Sequence, residues 1–308
     1  MTPVEHPIVE AKKGMSSGVG RWPHFMVIGA ARSGTTTLCT YLQRHERVYI
    51  CSPKEPCYFA YGDVFARGDA WYRSLFAGAP PDALCGDGST TYSRWPHTLD
   101  SPALIHERMP GARFIYIMRH PVDRAYSMYR FRIQMGMIEP MTFEQALAET
   151  DLFLDASRYL DQIERFLRFF RKNQFLFLEF KDLHGEALPT TLAQVQQFLG
   201  LEERDLLAGS EIQANADQVQ LARKQVDNMV SVIKRLPAAE SLLKMVSATA
   251  RQKGYRILVN AKRRSLSRNQ DDAPPMLPAT REKLLGVFRA PNESLARFLE
   301  RDLSSWSV

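Results

Sequence analysis

Short runs of consecutive apolar residues alternate along this chain with segments in which apolar residues recur at helical spacing. The runs are Phe25–Ile28, Val48–Ile50, Phe114–Met118 and Phe175–Leu178. Strands that are apolar at every position belong to parallel sheets covered on both faces, since successive side chains point to opposite faces. Helical patterns lie over residues 36–43, 121–132 and 188–199. The alternation predicts an α/β fold of three α/β/α layers around a mostly parallel sheet.

The remaining parts of the chain differ from this alternation in their polarity. Residues 1–21 are polar and rich in small residues, so we expect a loose N-terminal arm ahead of a single domain over residues 22–308. Within that domain, residues 205–275 are polar with a mainly helical pattern, and residues 281–306 are predicted to be helical again. We therefore expect the later third of the chain to form a helical C-terminal cap.

The connection between the first strand and the first helix, Gly29–Thr37, has the composition of a phosphate-binding turn. Its glycines, Gly29 and Gly34, let the backbone turn tightly and approach a ligand. The helix that follows presents its first amides and the positive end of its dipole to an anion. Further cationic and hydroxyl donors of the turn are Arg32, Ser33, Thr35, Thr36 and Thr37. The strand before the turn and the helix after it favour an anion site over an ordinary capped turn.

A second group that could hold a phosphate follows the strand Phe114–Met118. Arg119 lies at the end of this strand, at the carboxyl edge where α/β sheets bind ligands. Pro121 suits the first turn of a helix, and Ser127 lies about two turns further on. An arginine and a serine placed in this way can converge on one phosphate group.

The spacing of the glycine turn is that of the Walker A loop, so the predicted fold is P-loop-like. Position 35 is nevertheless Thr35, where ATP- and GTP-hydrolysing proteins have a lysine that reaches the β- and γ-phosphates. This substitution disfavours a P-loop kinase or NTPase, which is one alternative function. A non-catalytic protein that binds a nucleotide or polyanion is the other.

Taken together, these segments resemble the sulfotransferases that use 3′-phosphoadenosine-5′-phosphosulfate (PAPS), and in particular the heparan-type enzymes and their soluble bacterial relatives. The resemblance covers residues 24–306 and is weakest over residues 205–275. The matching segments are Gly29–Thr37, Ser52–Phe59, Asp87–Tyr92, Arg119–Ser127, Phe175–Leu183 and Pro291–Trp306. The third of them departs from the family pattern, since it begins with Asp87 and lacks the family's proline.

The resemblance implies transfer of a sulfuryl group from PAPS to a hydroxyl or amine, with PAP as the second product and no metal requirement. In the family, residues matching Ser33, Gly34 and Thr35–Thr37 bind the 5′-phosphosulfate, and those matching Arg119 and Ser127 bind the 3′-phosphate. Arg32 stands where many relatives have lysine. Because a guanidinium stays protonated, we expect Arg32 to stabilise the leaving group by charge and not by donating a proton.

Two carboxylates are candidates for the base that accepts the proton of the acceptor. Glu55 occupies the position of the catalytic glutamate in the heparan-type enzymes, and we expect burial to raise its pKa toward the working range. Its alternative interpretation is a surface carboxylate paired with Lys54. Asp87 is the rival base.

Basic residues late in the chain could close over the 3′-phosphate. Lys253 and Gly254 resemble the Lys-Gly element that does so in relatives, and Arg223–Lys224 is an alternative for this role. A solvated helix face is an equally good interpretation of both segments.

Composition and charge limit the possible cellular location and binding partners only in part. A net charge of +6 suits an anionic ligand, and the four cysteines form no zinc-like spacing, which predicts reduced thiols and a cytoplasmic protein. We find neither a signal peptide nor a membrane span, and we expect no nucleic-acid partner. The resemblance favours a carbohydrate or small-molecule acceptor, while the identity of the acceptor and the oligomeric state stay open.

Overall fold

The structure, a computed structural model, describes residues 20–208 and 273–308. Its centre is one sheet of five strands in the order β2-β3-β1-β4-β5. Every neighbouring pair of these strands is parallel. The strands are β1 (Phe25–Gly29), β2 (Val48–Ile50), β3 (Leu84–Asp87), β4 (Arg113–Met118) and β5 (Phe175–Glu179). The sheet confirms the predicted P-loop-like α/β/α fold class.

Helices connect the strands, as parallel pairing requires. Between β1 and β4 the helices are α1 (Thr35–Leu42), α2 (Gly62–Phe65), α3 (Gly68–Ser74) and α4 (Ser101–Arg108). After β4 they are α5 (Pro121–Gln134), α6 (Phe143–Glu149), α7 (Leu152–Asp155), α8 (Tyr159–Leu167), α9 (Ala187–Leu199) and the C-terminal helix Pro278–Leu299. Short 3₁₀ turns occupy Thr90–Ser93, Lys172–Gln174, Phe180–Leu183 and Ser304–Ser307.

Burial along the strands shows that both faces of the sheet are covered. All five residues of β1 and all five of β5 are buried. Because successive side chains of a strand alternate between the two faces, a strand buried throughout has protein packed on both sides. The continuous apolar runs in the sequence have this physical cause.

The predicted strands and helices agree with the observed ones to within a few residues, with one strand missed. Strand β3 escaped prediction because its four residues include Gly86 and Asp87 and lack a continuous apolar run. A side chain at Gly86 would begin 2.4 Å from Phe25 and 2.8 Å from Ile50. The glycine is therefore required by the large residues of the two neighbouring strands.

The C-terminal helix packs against α5, in the middle of the chain. Leu284 and Phe288 share a core cluster with Val122 and Ala125 of α5. The further parts of the predicted cap fall between residues 209 and 272, and the predicted arm ends at the first described residues, so both stay predictions. Across the described residues, no helix is long and apolar enough to cross a membrane.

The strand order fixes where a ligand can bind. From β1 the chain first builds β2 and β3 on one side, and then returns past β1 to build β4 and β5 on the other. In doubly wound sheets the crevice at such a reversal, outside the carboxyl ends of the strands, is the ligand site. The carboxyl ends of β1 and β4 carry the glycine turn and Arg119.

Candidate active site

The glycine turn leaves β1 and enters α1 through two residues in the left-handed region. Gly34 has φ of 83° and precedes the first residue of α1, while Arg32 has φ of 72°. A side chain at Gly34 would begin 2.9 Å from Leu183 and 3.1 Å from Phe180. Both the backbone conformation and the space therefore demand glycine at position 34.

The polar groups of the turn suit an anion. Ser33 is fully buried, and its Oγ forms no hydrogen bond within the described part of the chain. Thr35 is buried, while Thr36 and Thr37 are partly exposed in the first turn of α1. Because buried hydroxyls are nearly always hydrogen-bonded, an orphaned one at a helix N-terminus fits a ligand oxygen.

The second predicted anchor lies directly beside this turn. Arg32 Nε donates to Ser127 Oγ at 3.3 Å, across 95 positions of sequence. Arg119 Nη1 donates to the carbonyl oxygen of Arg32 at 3.3 Å. The two arginines also pack on aromatic rings, Arg32 at 4.7 Å from the centroid of Phe131 and Arg119 at 4.8 Å from that of Phe180. The structure thus brings together Arg32, Arg119 and Ser127, which the sequence assigned to two separate motifs.

A tyrosine from α8 fixes the backbone of Arg119. The hydroxyl of Tyr159 donates to the carbonyl oxygen of Arg119 at 2.6 Å, and the amide of Arg119 donates back to the same hydroxyl at 3.4 Å. Tyr159 is buried. A rigid backbone at this point holds the Arg119 side chain over the turn.

Arg124 adds an unusual buried charge next to these groups. It is fully buried and donates from Nε to Ser157 Oγ at 2.6 Å and from Nη2 to the carbonyl oxygen of Phe153, while Nη1 has no partner within the described residues. Burial lowers the pKa of Arg124 to about 10, so it stays charged at neutral pH. The adjacent carboxylate of Asp123 pairs with Arg281 at 2.8 Å and not with Arg124.

Glu55 lies at the carboxyl edge of the sheet, on the loop after β2. Its Oε1 is 2.9 Å from Lys54 Nζ, and its Oε2 accepts a hydrogen bond from Thr90 Oγ1 at 3.1 Å. The side chain keeps 33% of its surface exposed. The ion pair with Lys54 therefore forms, and the catalytic role of Glu55 stays a prediction.

The expected pKa of Glu55 was wrong in direction. Burial raises this pKa, but Lys54, the nearby charge of Arg94 and the hydrogen bond from Thr90 lower it by more. The pKa of Glu55 consequently lies below its ordinary value. Glu55 is a carboxylate at neutral pH, able to accept a proton.

Asp87, the rival base, lies in a closed environment at the end of β3. Its Oδ2 accepts hydrogen bonds from Tyr72 at 2.6 Å and Tyr92 at 2.7 Å, and its Oδ1 accepts from the amide of Ser89 at 2.8 Å. The residue is fully buried. Burial raises the pKa of Asp87, although these hydrogen bonds oppose the shift. Full burial and these three hydrogen bonds favour an anchor for the loop after β3.

Two arginines, Arg94 near Glu55 and Arg132 near Arg94, were not singled out from the sequence. Arg94 follows the turn Thr90–Ser93, and its Nη2 lies 3.5 Å from Thr90 Oγ1. Arg132 lies in the last turn of α5. They are separated in sequence and belong to no recognisable motif, so only the fold brings their charges near one another. Lys253, Gly254 and Arg223–Lys224 lie outside the described residues, and their roles stay predictions.

The parallel sheet, with the glycine turn and Arg119 at its switch point, has the architecture of the doubly wound α/β class. Within that class, a family model described as "Sulfotransferase domain" matches residues 92–254, just over half of the chain. This match includes Arg119 and Ser127. The chain belongs to the sulfotransferase domain family.

Curated relatives agree with this assignment. The chain is 31% identical over 204 residues to human heparan sulfate glucosamine 3-O-sulfotransferase 6, which covers 61% of this chain and 56% of the relative. It is 29% identical over 204 residues to the mouse bifunctional heparan sulfate N-deacetylase/N-sulfotransferase 3, covering 59% of this chain and 22% of the relative. The chain therefore spans little more than half of the first relative and about a fifth of the second.

A solved structure shares the fold over nearly the whole chain. A sulfotransferase from Alicyclobacillus acidocaldarius superposes with a TM-score of 0.62, covering 94% of this chain and 100% of the other. The two sequences are 21% identical, so the likeness concerns the fold.

Proposed function

We propose that this protein transfers a sulfuryl group from PAPS to a hydroxyl or amine of an acceptor. The observation that carries the proposal is the junction of the two anion anchors, in which Arg32 bonds to Ser127 and Arg119 bonds to Arg32. A donor with a phosphosulfate at one end and a separate phosphate at the other requires two such anchors at one sheet edge. The family match and the names of the curated relatives support the same activity.

Each anchor has a role that follows from its chemistry. The amides at the start of α1, with Ser33 and Thr35–Thr37, would hold the oxygens of the 5′-phosphosulfate. Arg119 and Ser127 would hold the 3′-phosphate, since a guanidinium offers several donors to one anion. Lys253 and Gly254 remain the predicted closing element over that phosphate.

The transfer moves negative charge onto the departing nucleotide. The oxygen–sulfur bond to the acceptor forms as the bond between sulfur and the bridging phosphate oxygen breaks, and PAP leaves with the electron pair. Arg32 would stabilise this charge, because a fixed guanidinium aimed at developing charge needs no reorganisation during the reaction. Arg32 stays protonated throughout and acts by charge.

Glu55 would accept the proton that the acceptor hydroxyl loses. As a carboxylate at neutral pH it is in the required form, and its Oε2 already accepts a hydrogen bond from Thr90. Lys54 and Thr90 would orient it. Asp87 would act as a structural anchor.

The acceptor class rests on the relatives and on the resemblance in the sequence. The printed names of the curated relatives refer to heparan sulfate, and a carbohydrate or glycosylated small molecule is therefore the acceptor that we propose. A cytoplasmic location and a reaction without a metal stay predictions from the sequence.

A transfer assay tests the proposal. The full chain is incubated with ³⁵S-labelled PAPS and a panel of sugars, glycosides, phenols and amines, and labelled products are separated from PAPS. We expect one acceptor class to gain label in proportion to enzyme. A protein that binds PAP tightly but labels no acceptor would favour the non-catalytic alternative, and stabilisation by Mg-ATP without any by PAP would favour the kinase.

A further inference from the structure

Two arginines on the Glu55 side of the site have donors that the protein leaves unused. The Nε atoms of Arg94 and Arg132 are both buried, and neither has a hydrogen-bond partner within residues 20–208 and 273–308. No ion pair within 4.0 Å involves either guanidinium in this part of the chain. A buried guanidinium donor without an acceptor is costly, so its presence calls for a ligand that supplies the acceptor.

The two charges lie close enough to affect one another. Burial lowers the pKa of Arg132, and the charge of Arg94 lowers it further. Both charges also act on the phenol of Tyr61, whose own pKa is raised by burial. Two like charges that share a partly buried region repel each other, and an anion between them would remove that repulsion.

Arg94 lies next to the proposed base, and its hydrogen-bond contact, Thr90, is not a residue of the donor anchors. Arg94 Nη2 lies 3.5 Å from Thr90 Oγ1, and the same hydroxyl donates to Glu55 Oε2 at 3.1 Å. The Glu55 carboxylate itself is engaged by Lys54 at 2.9 Å. Arg94 is therefore one hydrogen-bonded residue away from the group that would receive the acceptor's proton, and Arg132 lies within range of the charge of Arg94.

From this geometry we propose that Arg94 and Arg132 form an anion subsite for the acceptor, which would carry a carboxylate or sulfate group close to the hydroxyl or amine that is sulfated. The inference rests on the proposed function. It makes the acceptor acidic, and it assigns to two arginines of separate segments the task of aligning that acceptor with Glu55. Bidentate binding of a planar or tetrahedral oxyanion is the chemistry for which arginine is suited.

Binding of simple anions to the PAP-saturated protein tests the subsite without requiring the true acceptor. PAP occupies the phosphate positions but leaves the sulfuryl position open, so the loss of sulfate binding in the variants, and not sulfate binding alone, identifies the subsite. We expect calorimetry to detect sulfate binding, and the double variant Arg94→Gln, Arg132→Gln to weaken it at least about tenfold, the loss expected for one charged hydrogen bond or more. PAP affinity should stay within about twofold of the original in that variant.

A matched control distinguishes loss of a specific sulfate site from the general effect of removing positive charge. Arg168 and Arg289 are exposed, and the double variant Arg168→Gln, Arg289→Gln removes the same charge from the surface. We expect it to bind sulfate like the unchanged protein. An equal loss in both double variants, or no sulfate binding to the PAP complex, would overturn the subsite. A parallel loss of PAP affinity in the Arg94/Arg132 variant would assign these residues to the donor.

A pair of sugars tests the acidic character of the acceptor. D-glucuronate and D-glucose differ only in the oxidation state of C6, and we expect the PAP complex to bind glucuronate at least about tenfold more tightly, with the preference lost in the Arg94/Arg132 variant. Equal binding of the two sugars would overturn the inference. Failure of PAP itself to bind would instead overturn the proposed function, so the two failures can be told apart.

Discussion

The two sides of the sheet's carboxyl edge handle charge in opposite ways. At the ends of β1 and β4, Arg32, Arg119 and Arg124 come together, and neither Arg119 nor Arg124 has a carboxylate within 4.0 Å in the described residues. At the ends of β2 and β3, the carboxylates of Glu55 and Asp87 are each held by several donors. The first side suits the anionic donor of the proposed reaction, and the second holds the two carboxylates that are candidates for its base.

The second side contains a further contrast between its two carboxylates. Glu55 keeps a third of its side-chain surface exposed, whereas Asp87 is closed in by Tyr72 and Tyr92. Burial raises both pKa values, but the net shifts are opposite. Lys54, Arg94 and Thr90 lower the pKa of Glu55 by more than burial raises it, whereas desolvation prevails at Asp87. An open, ionised carboxylate suits catalysis, and a closed one suits stability.

The largest effect is expected from removing the base. Glu55→Gln keeps the shape of the side chain and its bond to Thr90 but cannot accept a proton, so kcat should fall by about 10²- to 10⁴-fold. PAP affinity should stay unchanged. Labelled-PAPS transfer measures the loss, with the exposed Glu203→Gln as the control. Full activity in Glu55→Gln would remove Glu55 as the base.

Loss of the 3′-phosphate anchor should be the next largest effect. Arg119→Ala removes a charged donor at the turn, and we expect PAP affinity to fall about 30- to 100-fold by calorimetry, as a lost charged interaction of about 2–3 kcal/mol implies. Affinity for AMP, which lacks the 3′-phosphate, should change little. The exposed Arg168→Ala serves as the control, and an equal loss for AMP and PAP would contradict the assignment.

Substitution of Asp87 should lower the stability of the fold more directly than the rate of sulfuryl transfer. Asp87→Ala leaves two buried phenol hydroxyls and one buried amide without their acceptor, so the free energy of unfolding in urea should fall by about 3 kcal/mol. Asp82→Ala, an exposed carboxylate 3.9 Å from Arg47, should cost less than about 0.5 kcal/mol. A stable Asp87→Ala protein that has lost only activity would make Asp87 the base.

A smaller effect is expected in the pH dependence of stability, to which the two carboxylates contribute with opposite signs. The folded pKa of Asp87 is raised, so the folded protein holds this proton more tightly than the unfolded chain, and stability from this group is lost as pH rises from its ordinary value of about 4 through the raised value. The folded pKa of Glu55 is lowered, so its contribution is present above about pH 4 and lost as pH falls.

Urea titrations between about pH 3 and pH 7 test these signs with Asp87→Asn and Glu55→Gln. The difference in the free energy of unfolding between Asp87→Asn and the unchanged protein should shrink as pH rises. The corresponding difference for Glu55→Gln should shrink as pH falls. Two variants with the same pH dependence would show that the two carboxylates do not differ in environment.

The side proposed to bind the nucleotide could be predicted from the sequence because each of its segments is short and contiguous. Gly29–Thr37 and Arg119–Ser127 each combine a strand end, a helix start and the ligand groups within nine residues or so, and the fold had only to bring the two together. The apolar runs that predicted the strands have a direct physical cause in a sheet covered on both faces.

The side proposed to bind the acceptor could not be predicted from local sequence in the same way. Arg94 and Arg132 belong to a turn and to the end of a helix, and nothing in their local sequence distinguishes them from surface arginines. The closure of Asp87 depends on Tyr72, 15 positions away, and the pKa of Glu55 depends on Arg94, whose proximity only the tertiary structure provides. Effects that arise from distant side chains have no local pattern.

A comparison of PAP with AMP tests the central claim most directly, because the two nucleotides differ only in the 3′-phosphate. Calorimetry on the full chain should show PAP binding about 30-fold or more tightly than AMP, as one charged anchor implies, with Mg-ATP unable to displace it. Equal affinities for PAP and AMP, or tighter binding of Mg-ATP than of PAP, would contradict the account of a PAPS-dependent sulfotransferase.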